Sequence, residues 1–160
     1  MAIQSGTGCT IAIGTTQAAV NAGQFAMDDY TVVGEVSEIG EFGDQRSIVT
    51  FTSLADGRVR KARGTADAGD VPVTYAFDGG DEGQDAIRDA FEEQSQSADE
   101  FNFRIQLSDG IATPTTFYFR ARVTARRVQS ITNDGIVTVQ AMLAINSPVV
   151  EVASDASSGT

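Results

Sequence analysis

The chain has 160 residues, of which 22 are acidic and 11 basic, so its formal charge at neutral pH is −11. This length favours a single domain whose core is large enough to fold without disulfides or metals. The negative charge argues against a general nucleic-acid binder and against docking on an anionic membrane, because both need basic surface. The sequence contains no histidine, which excludes His-based catalytic triads and imidazole zinc sites, and Cys9 is alone and cannot form an intrachain disulfide.

The first 30 residues are rich in Gly, Thr, Ala and Ser and contain no Lys or Arg. We expect residues 1–30 to form an N-terminal arm with one strand, packed on the domain rather than building its core. They lack the basic start and long apolar run of a secretory signal. No run approaches the roughly 20 apolar residues that span a bilayer. We therefore expect a soluble protein that is made and kept in the cytoplasm until it assembles.

Residues 31–152 carry the alternation of apolar and polar residues that is typical of half-buried strands in antiparallel sheets. Turn signals such as Asp56-Gly57 separate the segments. Pro72 indicates a sheet edge or a strand start, because it cannot donate a ladder hydrogen bond. Residues 153–160 are small and polar and read as a flexible tail. The pattern predicts six strands, at Thr31–Glu38, Arg46–Thr52, Val71–Phe77, Phe101–Leu107, Phe117–Thr124 and Val137–Ile145.

One helix interrupts this pattern, at about 82–95. Asp81 is a good N-cap, and Gln84 three residues later completes a capping box. Ile87, Ala90 and Phe91 follow helical spacing and give one apolar stripe. We expect this helix to lie across the sheet.

The acidic stretch that begins at Asp78 invites comparison with a calcium-binding loop. It has Gly80 where the loop needs its second ligand and Asp89 where it needs Glu, so a turn followed by a capped helix fits better. A weak surface site for Ca²⁺ or Mg²⁺ is the alternative. The glycine pairs at 6–8 and 40–43 match no phosphate-binding loop, and neighbouring acids such as Asp28 and Asp29 point apart. The sequence therefore predicts no catalytic residues, no cofactor and no enzyme activity.

Four basic residues lie close together in the long connection Ser53–Asp70: Arg58, Arg60, Lys61 and Arg63. Connections of this length in compact domains are usually functional or disordered. In a strongly negative subunit, a positive loop suits docking on an acidic face of another copy. The alternative is an ordinary solvated loop.

The order of these features resembles the major tail tube protein of long-tailed, siphovirus-like phages and phage-like particles. The resemblance covers about three-quarters of the chain, from Val32 to Val152. It rests on a combination of segments rather than on one motif: Val33–Gly43, Thr52–Gly57, Phe77-Asp78, Asp81–Ile87, Phe101–Ile105, Asp109-Gly110, Phe117–Val123, Val137–Ile145 and Ser147–Val150.

The resemblance implies a mainly β fold, an antiparallel β-sandwich or half-barrel with one flanking helix, that closes into a hexameric β-barrel ring. Rings of this family stack into the tail tube, through which DNA passes. The expected location is the virion tail, after assembly in the host cytoplasm. The expected partners are further copies of the chain and, at the tube ends, the tape measure, terminator and distal tail proteins.

Two surfaces take on a role in this interpretation. The basic cluster at 58–63 would contact the adjacent ring. Glu35, Glu38 and Glu41 are predicted on or near the inner wall, where carboxylates would repel phosphate and keep passing DNA mobile. The competing interpretation is a monomeric β-sandwich that serves as a binding or adhesion module on a virion or cell surface. Such a module would carry aromatic-rich loops, whereas this chain has no Trp.

Overall fold

The structure, a computed structural model, describes residues 3, 5–95, 99–108, 114–129 and 131–153. The predicted mainly β, antiparallel architecture is confirmed. Within the described residues the chain order is β1 Thr10–Ile13, α1 Ala22–Ala26, β2 Thr31–Val32, β3 Val36–Ile39, β4 Gln45–Thr52, β5 Val59–Asp67, β6 Asp70–Ala76, α2 Glu82–Glu92, β7 Phe101–Gln106, β8 Thr116–Val128, β9 Thr138–Ile145 and β10 Val150–Val152.

The described strands form one large antiparallel sheet and one separate hairpin. The sheet runs β2-β1-β7-β8-β9-β6-β3, while β4 pairs only with β5. Strand β8 is long enough to hold β7 on one side and two partners on the other: β10 lies against its first residues and β9 against its later ones. A register shift between Val123 and Ala125 marks a bulge in the β9 half. The predicted end of this strand at Thr124 is therefore too early, because the strand bends at the bulge and continues.

One face of the sheet curves around the core. Phe103 of β7 stacks on Phe119 of β8, with ring centroids 5.6 Å apart. Phe42 follows β3, the last strand of the sheet, yet its ring meets Phe117 of β8 edge to face at 5.2 Å. The connection after β3 therefore reaches back over the core to β8. Helix α2 packs on this core through Ile87 and Ala90.

Helix α2 begins where the sequence predicts and ends three residues earlier, at Glu92. The Asp81 side chain accepts a hydrogen bond from the backbone N–H of Gln84 at 2.9 Å, which confirms the N-cap. The second half of the predicted capping box is wrong. The Gln84 amide turns away from Asp81 and donates to the carbonyls of Gly34 and Ala76, at 3.1 and 2.9 Å. Gln84 therefore fastens the helix to the bend between β2 and β3 and to the last residue of β6.

The N-terminal segment contributes more than the predicted packing arm. Strand β1 lies inside the sheet, between β2 and β7, and both Ile11 and Ile13 are buried in the core. The expectation that this segment does not build the core is wrong, because four residues are enough to complete a sheet when both neighbours are present. Helix α1, which was not predicted, is capped by Asn21 and stacks Phe25 on Tyr118 on the opposite face of the sheet.

Two local features near β3 also differ from expectation. The strand predicted at Thr31–Glu38 is divided into β2 and β3, and Glu35 between them has a positive φ of 59°. Pro72 does not mark an edge, since β6 lies between β9 and β3. Its carbonyl accepts from the N–H of Gly40, just past the end of β3. In an antiparallel strand the nitrogen and the carbonyl of one residue point to the same neighbouring strand. The nitrogen of Pro72, which has no hydrogen to donate, therefore faces β3, and the hydrogen bonds between β6 and β9 are unaffected.

Among the described residues, no helix has the length and hydropathy to cross a membrane.

Candidate assembly surfaces

Strands β4 and β5 form a two-stranded hairpin. Every residue of β4 is exposed, and so are all residues of β5 but one. The connection Ser53–Asp70, predicted as a loop, is therefore mostly strand, and only residues 53–58 remain as its turn. Strand β4 lies close to its predicted bounds, Arg46–Thr52, although both of its faces are exposed. The prediction missed β5 because its residues are mostly charged or small and show no alternation of apolar and polar side chains.

The register of the hairpin gives it two distinct faces. Directly opposite residues share a face, and successive residues alternate between faces. The face that we call the basic face carries Lys61 and Arg63, which lie opposite Thr50 and Ile48, together with Val59. The other face, called the Phe51 face, carries Phe51 opposite Arg60 and Val49 opposite Ala62.

Both faces expose large apolar side chains. Ile48 on the basic face is 67% exposed, and Phe51 on the Phe51 face is 66% exposed. Val59 adds to the apolar surface of the basic face and Val49 to that of the Phe51 face, and Leu54 is exposed in the turn. A two-stranded hairpin alone is marginally stable in water, and contiguous exposed apolar surface marks an interaction site. The hairpin therefore has the properties of a surface that is covered in an assembly.

The four predicted basic residues lie between the turn and the middle of β5, with Lys61 and Arg63 on the basic face and Arg60 on the Phe51 face. Arg60 pairs with Asp56 at 3.0 Å, although both side chains are largely exposed. The backbone N–H of Arg58, aided by the Arg60 side chain, lowers the pKa of Asp56 below its ordinary value. Lys61 and Arg63 make no ion pair with any residue that the structure describes. These two cations are available to a partner.

An open groove of about 560 Å³ lies at the base of the same hairpin. Three carboxylates line it, from Glu41, Asp67 and Asp70, against the single guanidinium of Arg46. Phe42 and Ala68 supply apolar surface beside them. The groove and the basic face are thus opposite in charge. The groove lies at the base of the hairpin, and the basic face extends from the turn to Ile48 and Arg63 in its middle. No sequence pattern marks this groove, because its residues come from both sides of the hairpin and meet only when the strands pair.

The three glutamates predicted at the inner wall are all exposed and lie in and around β3. Glu38 pairs with Thr74 of β6, which places it on the sheet face that points away from the core. Glu35 precedes the strand, and Glu41 follows it and lines the groove. The structure thus places them at one end of the sheet, with only Glu38 on a strand.

The sheet face opposite the core is covered over one half and open over the other. Residues 14–30 cover the half formed by β1, β7 and the start of β8, through Phe25 against Tyr118. Over β6 and β9, the side chains of Thr74, Gln140 and Met142 remain partly exposed. This open half, together with β3, is a second surface without a cover among the described residues.

The acidic stretch considered for calcium is occupied by local hydrogen bonds. Asp78 accepts from the N–H of Gly80 at 3.0 Å, and Asp81 accepts from the N–H groups of Gly34 and Gln84. In the parts of the chain that the structure describes, no three Asp, Glu or Cys side chains lie close enough together to hold a metal ion.

No family model and no curated protein matches the chain, but its fold is found in solved structures. It is similar to the PVC sheath/tube terminator of an extracellular contractile injection system, with a TM-score of 0.71, 11% identity, and 96% of this chain and 99% of the other covered. It is similar to the SPP1 tail tube, with a TM-score of 0.68, 16% identity, and coverage of 96% and 82%. A chain of the 6-fold symmetrised baseplate of the anti-feeding prophage matches with a TM-score of 0.68, 8% identity, and coverage of 96% and 98%. The chain therefore shares the fold of tube components of phage-like particles.

Proposed function

We propose that this protein is a structural virion protein whose copies form hexameric rings and stack into a tail tube, the conduit for DNA delivery. The observation that carries the proposal is the exposed β4–β5 hairpin, on a chain whose fold recurs in tube and terminator proteins. No catalytic role is proposed. The protein belongs to the virion tail, and assembly occurs in the host cytoplasm.

The two edge strands of the sheet, β3 and β2, support the proposal that copies close into a ring. Strand β3 has β6 as its one partner among the described strands, and β2 has only β1, so an edge is open at each end. Unpaired edges template pairing with another chain, and closure into a barrel removes them. Sixfold closure is favoured because a chain of similar fold lies in a 6-fold symmetrised assembly.

The hairpin is proposed to join one ring to the next. Its outer half presents Arg58, Arg60, Lys61 and Arg63 from a subunit of net charge −11. Each exposed pair contributes only about 0.2–1 kcal/mol, but ring symmetry repeats the contact and the hairpin's apolar side chains add to it. At the tube ends the same surfaces would meet tape measure, terminator and distal tail proteins.

Glu35, Glu38 and Glu41 are proposed to lie on or near the inner wall. Glu38 shares the outward sheet face with Thr74, on the half of the sheet that residues 14–30 leave open. Carboxylates there would repel phosphate over about 8 Å at physiological salt, so that DNA passes without sticking.

The test is the assembly state of the purified chain, measured by size-exclusion chromatography with light scattering and by electron microscopy. Rings or tubes are expected as concentration rises. A strict monomer at every concentration would contradict the proposal and favour the binding or adhesion module. Replacing Arg58, Arg60, Lys61 and Arg63 with Ser is expected to keep the fold and the rings while shortening or abolishing tubes. Full-length tubes from this variant would show that the basic cluster is only solvated surface.

A further inference from the structure

Both faces of the β4–β5 hairpin expose apolar side chains, and a contact between unlike faces is the arrangement that covers both. Each face exposes a large apolar side chain, Ile48 on the basic face and Phe51 on the other. A twofold contact between identical surfaces would cover one face and leave the other in water. A contact between unlike faces of successive copies covers both.

We propose that the basic face of one copy docks onto the Phe51 face and the acidic groove of the next copy, so that the hairpins stack head to tail. This inference rests on the proposed tube-forming function and names the surface that receives the hairpin. The occupant of the groove is a second copy of this chain.

Charge selects this pairing over the others. Lys61 and Arg63 lie on the basic face and have no ion-pair partner among the described residues. The groove holds three carboxylates, of which only Asp67 accepts a hydrogen bond within its own turn, from the N–H of Gly69. Glu41 and Asp70 appear in no ion pair of the described chain. Docking basic face on basic face would oppose like charges, which disfavours a symmetric pair. On the receiving Phe51 face, the charge of Arg60 is paired with Asp56.

Shape and apolar surface agree with charge. The groove is lined by Gln45 and Ser47, which precede Val49 and Phe51 along β4. Between Arg46 and Ile48 the pairing shifts by one residue, and the extra residue is on β5, so β4 keeps its alternation. These four residues therefore follow one another on a single face, and the groove continues into the Phe51 face. Apolar Ile48 and Val59 of the docking copy would lie over this strip while its cations reach the carboxylates. Lys61 and Asp67 are about 20 Å apart along an extended strand, so successive hairpins are staggered along their length.

A contact between unlike faces would also allow open-ended growth. Such heterologous contacts close into a ring or continue as a filament, and each added copy presents a fresh groove. The polarity of the stack follows from the hairpin, since every copy offers a basic face in one direction and a groove in the other.

Charge reversal on the basic face or in the groove tests the docking contact separately from the proposed tube-forming function. The hairpin variant is Lys61→Glu with Arg63→Glu, and the groove variant is Glu41→Lys with Asp70→Lys. Each should raise the protein concentration needed for tubes by about tenfold or more, because like charges then meet at every contact. The chain with all four substitutions restores opposite charges and the original net charge, and it should assemble like the wild type.

Mixing the hairpin variant with the groove variant gives a second test, which does not require the four substitutions to be combined in one chain. The hairpin variant and the groove variant, each deficient alone, should form tubes together, since each supplies the surface that the other lacks. Circular dichroism of each variant verifies the fold before assembly is measured. Normal tubes from the groove variant, or no recovery in both the mixture and the four-substitution chain, would overturn the inference while self-assembly itself stands. A wild-type chain that never assembles would overturn the proposed function and this inference with it.

Discussion

The side-chain amide of Asn102 on β7 donates a hydrogen bond of 2.8 Å to Oδ2 of Asp28, a residue 74 positions earlier in the chain. Asn102 is fully buried, and its amide also donates to the carbonyl of Gln17 while its oxygen accepts from Arg120 of β8. A buried polar group of this kind is stable only when its partners are present. This network therefore binds residues 14–30 to the outer face of the sheet.

Replacing Asn102 with Ala should destabilise the fold by about 1–3 kcal/mol, because Asp28 and Arg120 each lose a buried partner. For a chain of this length the melting temperature should fall by roughly 2–12 °C, measured by circular dichroism. Asn133→Ala is the matched control, since Asn133 is exposed. Equal melting temperatures for both variants would show that the network is not what holds the segment.

Asp28 should make stability depend on pH. Burial raises its pKa, but hydrogen bonds from Thr15, Asn102 and the N–H of Asp29 outweigh this effect, and the pKa lies below the ordinary value of 3.8. A lowered folded-state pKa adds stability above the unfolded value and loses it as pH falls through the folded value. The difference in urea midpoint between wild type and Asp28→Asn should therefore be larger at pH 7 than at pH 3. A difference that is constant with pH would contradict this.

Gln84 is expected to anchor α2 through its two donated hydrogen bonds. Gln84→Glu places a carboxylate against the carbonyls of Gly34 and Ala76 and should cost at least about 2 kcal/mol at pH 7. The loss should shrink at pH 5, because facing two carbonyls raises the pKa of the new carboxyl and its protonated form can donate one bond. Denaturant unfolding measures both values. Gln94→Glu, at an exposed position, should have little effect at either pH.

Gly83 allows α2 to lie directly on the backbone of β2. A Cβ at this position would lie 2.3 Å from the carbonyl oxygen of Val32 and 2.6 Å from Cα of Val33. Gly-to-Ala changes in helices usually stabilise, but Gly83→Ala should cost about 1–3 kcal/mol because backbone must move. Gly23→Ala in α1, where the nearest atom is 3.4 Å away, should be neutral or stabilising. Thermal unfolding of both variants tests the sign.

The inner-wall proposal predicts a defect in DNA release without a defect in assembly. Glu35→Lys with Glu38→Lys leaves the groove residue Glu41 unchanged, so tubes should form normally. DNA release from particles that carry this variant should slow, because cations at the wall attract phosphate. Glu92→Lys with Glu93→Lys at the end of α2 makes the same change in net charge at a distant surface. Equal release from both variants would remove the proposal.

The sequence by itself determined most of the elements that bury one face, and it also marked β4, which is exposed on both faces. Strands β6, β7 and β9 and the start of α2 were predicted because a core imposes alternation on a strand, and a capping side chain marks a helix start. Their antiparallel arrangement and mainly β class follow from the same pattern.

Only the tertiary structure decided the features that depend on neighbours distant in sequence. The four residues of β1 are a strand because β2 and β7 supply both sets of hydrogen bonds. The mostly charged or small residues of strand β5 show no alternating pattern, so its pairing with β4 defines it. The acidic groove exists only once that pairing brings Glu41 and Asp70 to one place. The candidate site was thus half predicted, since a run of basic residues is visible in sequence, whereas the surface that receives it is assembled by folding.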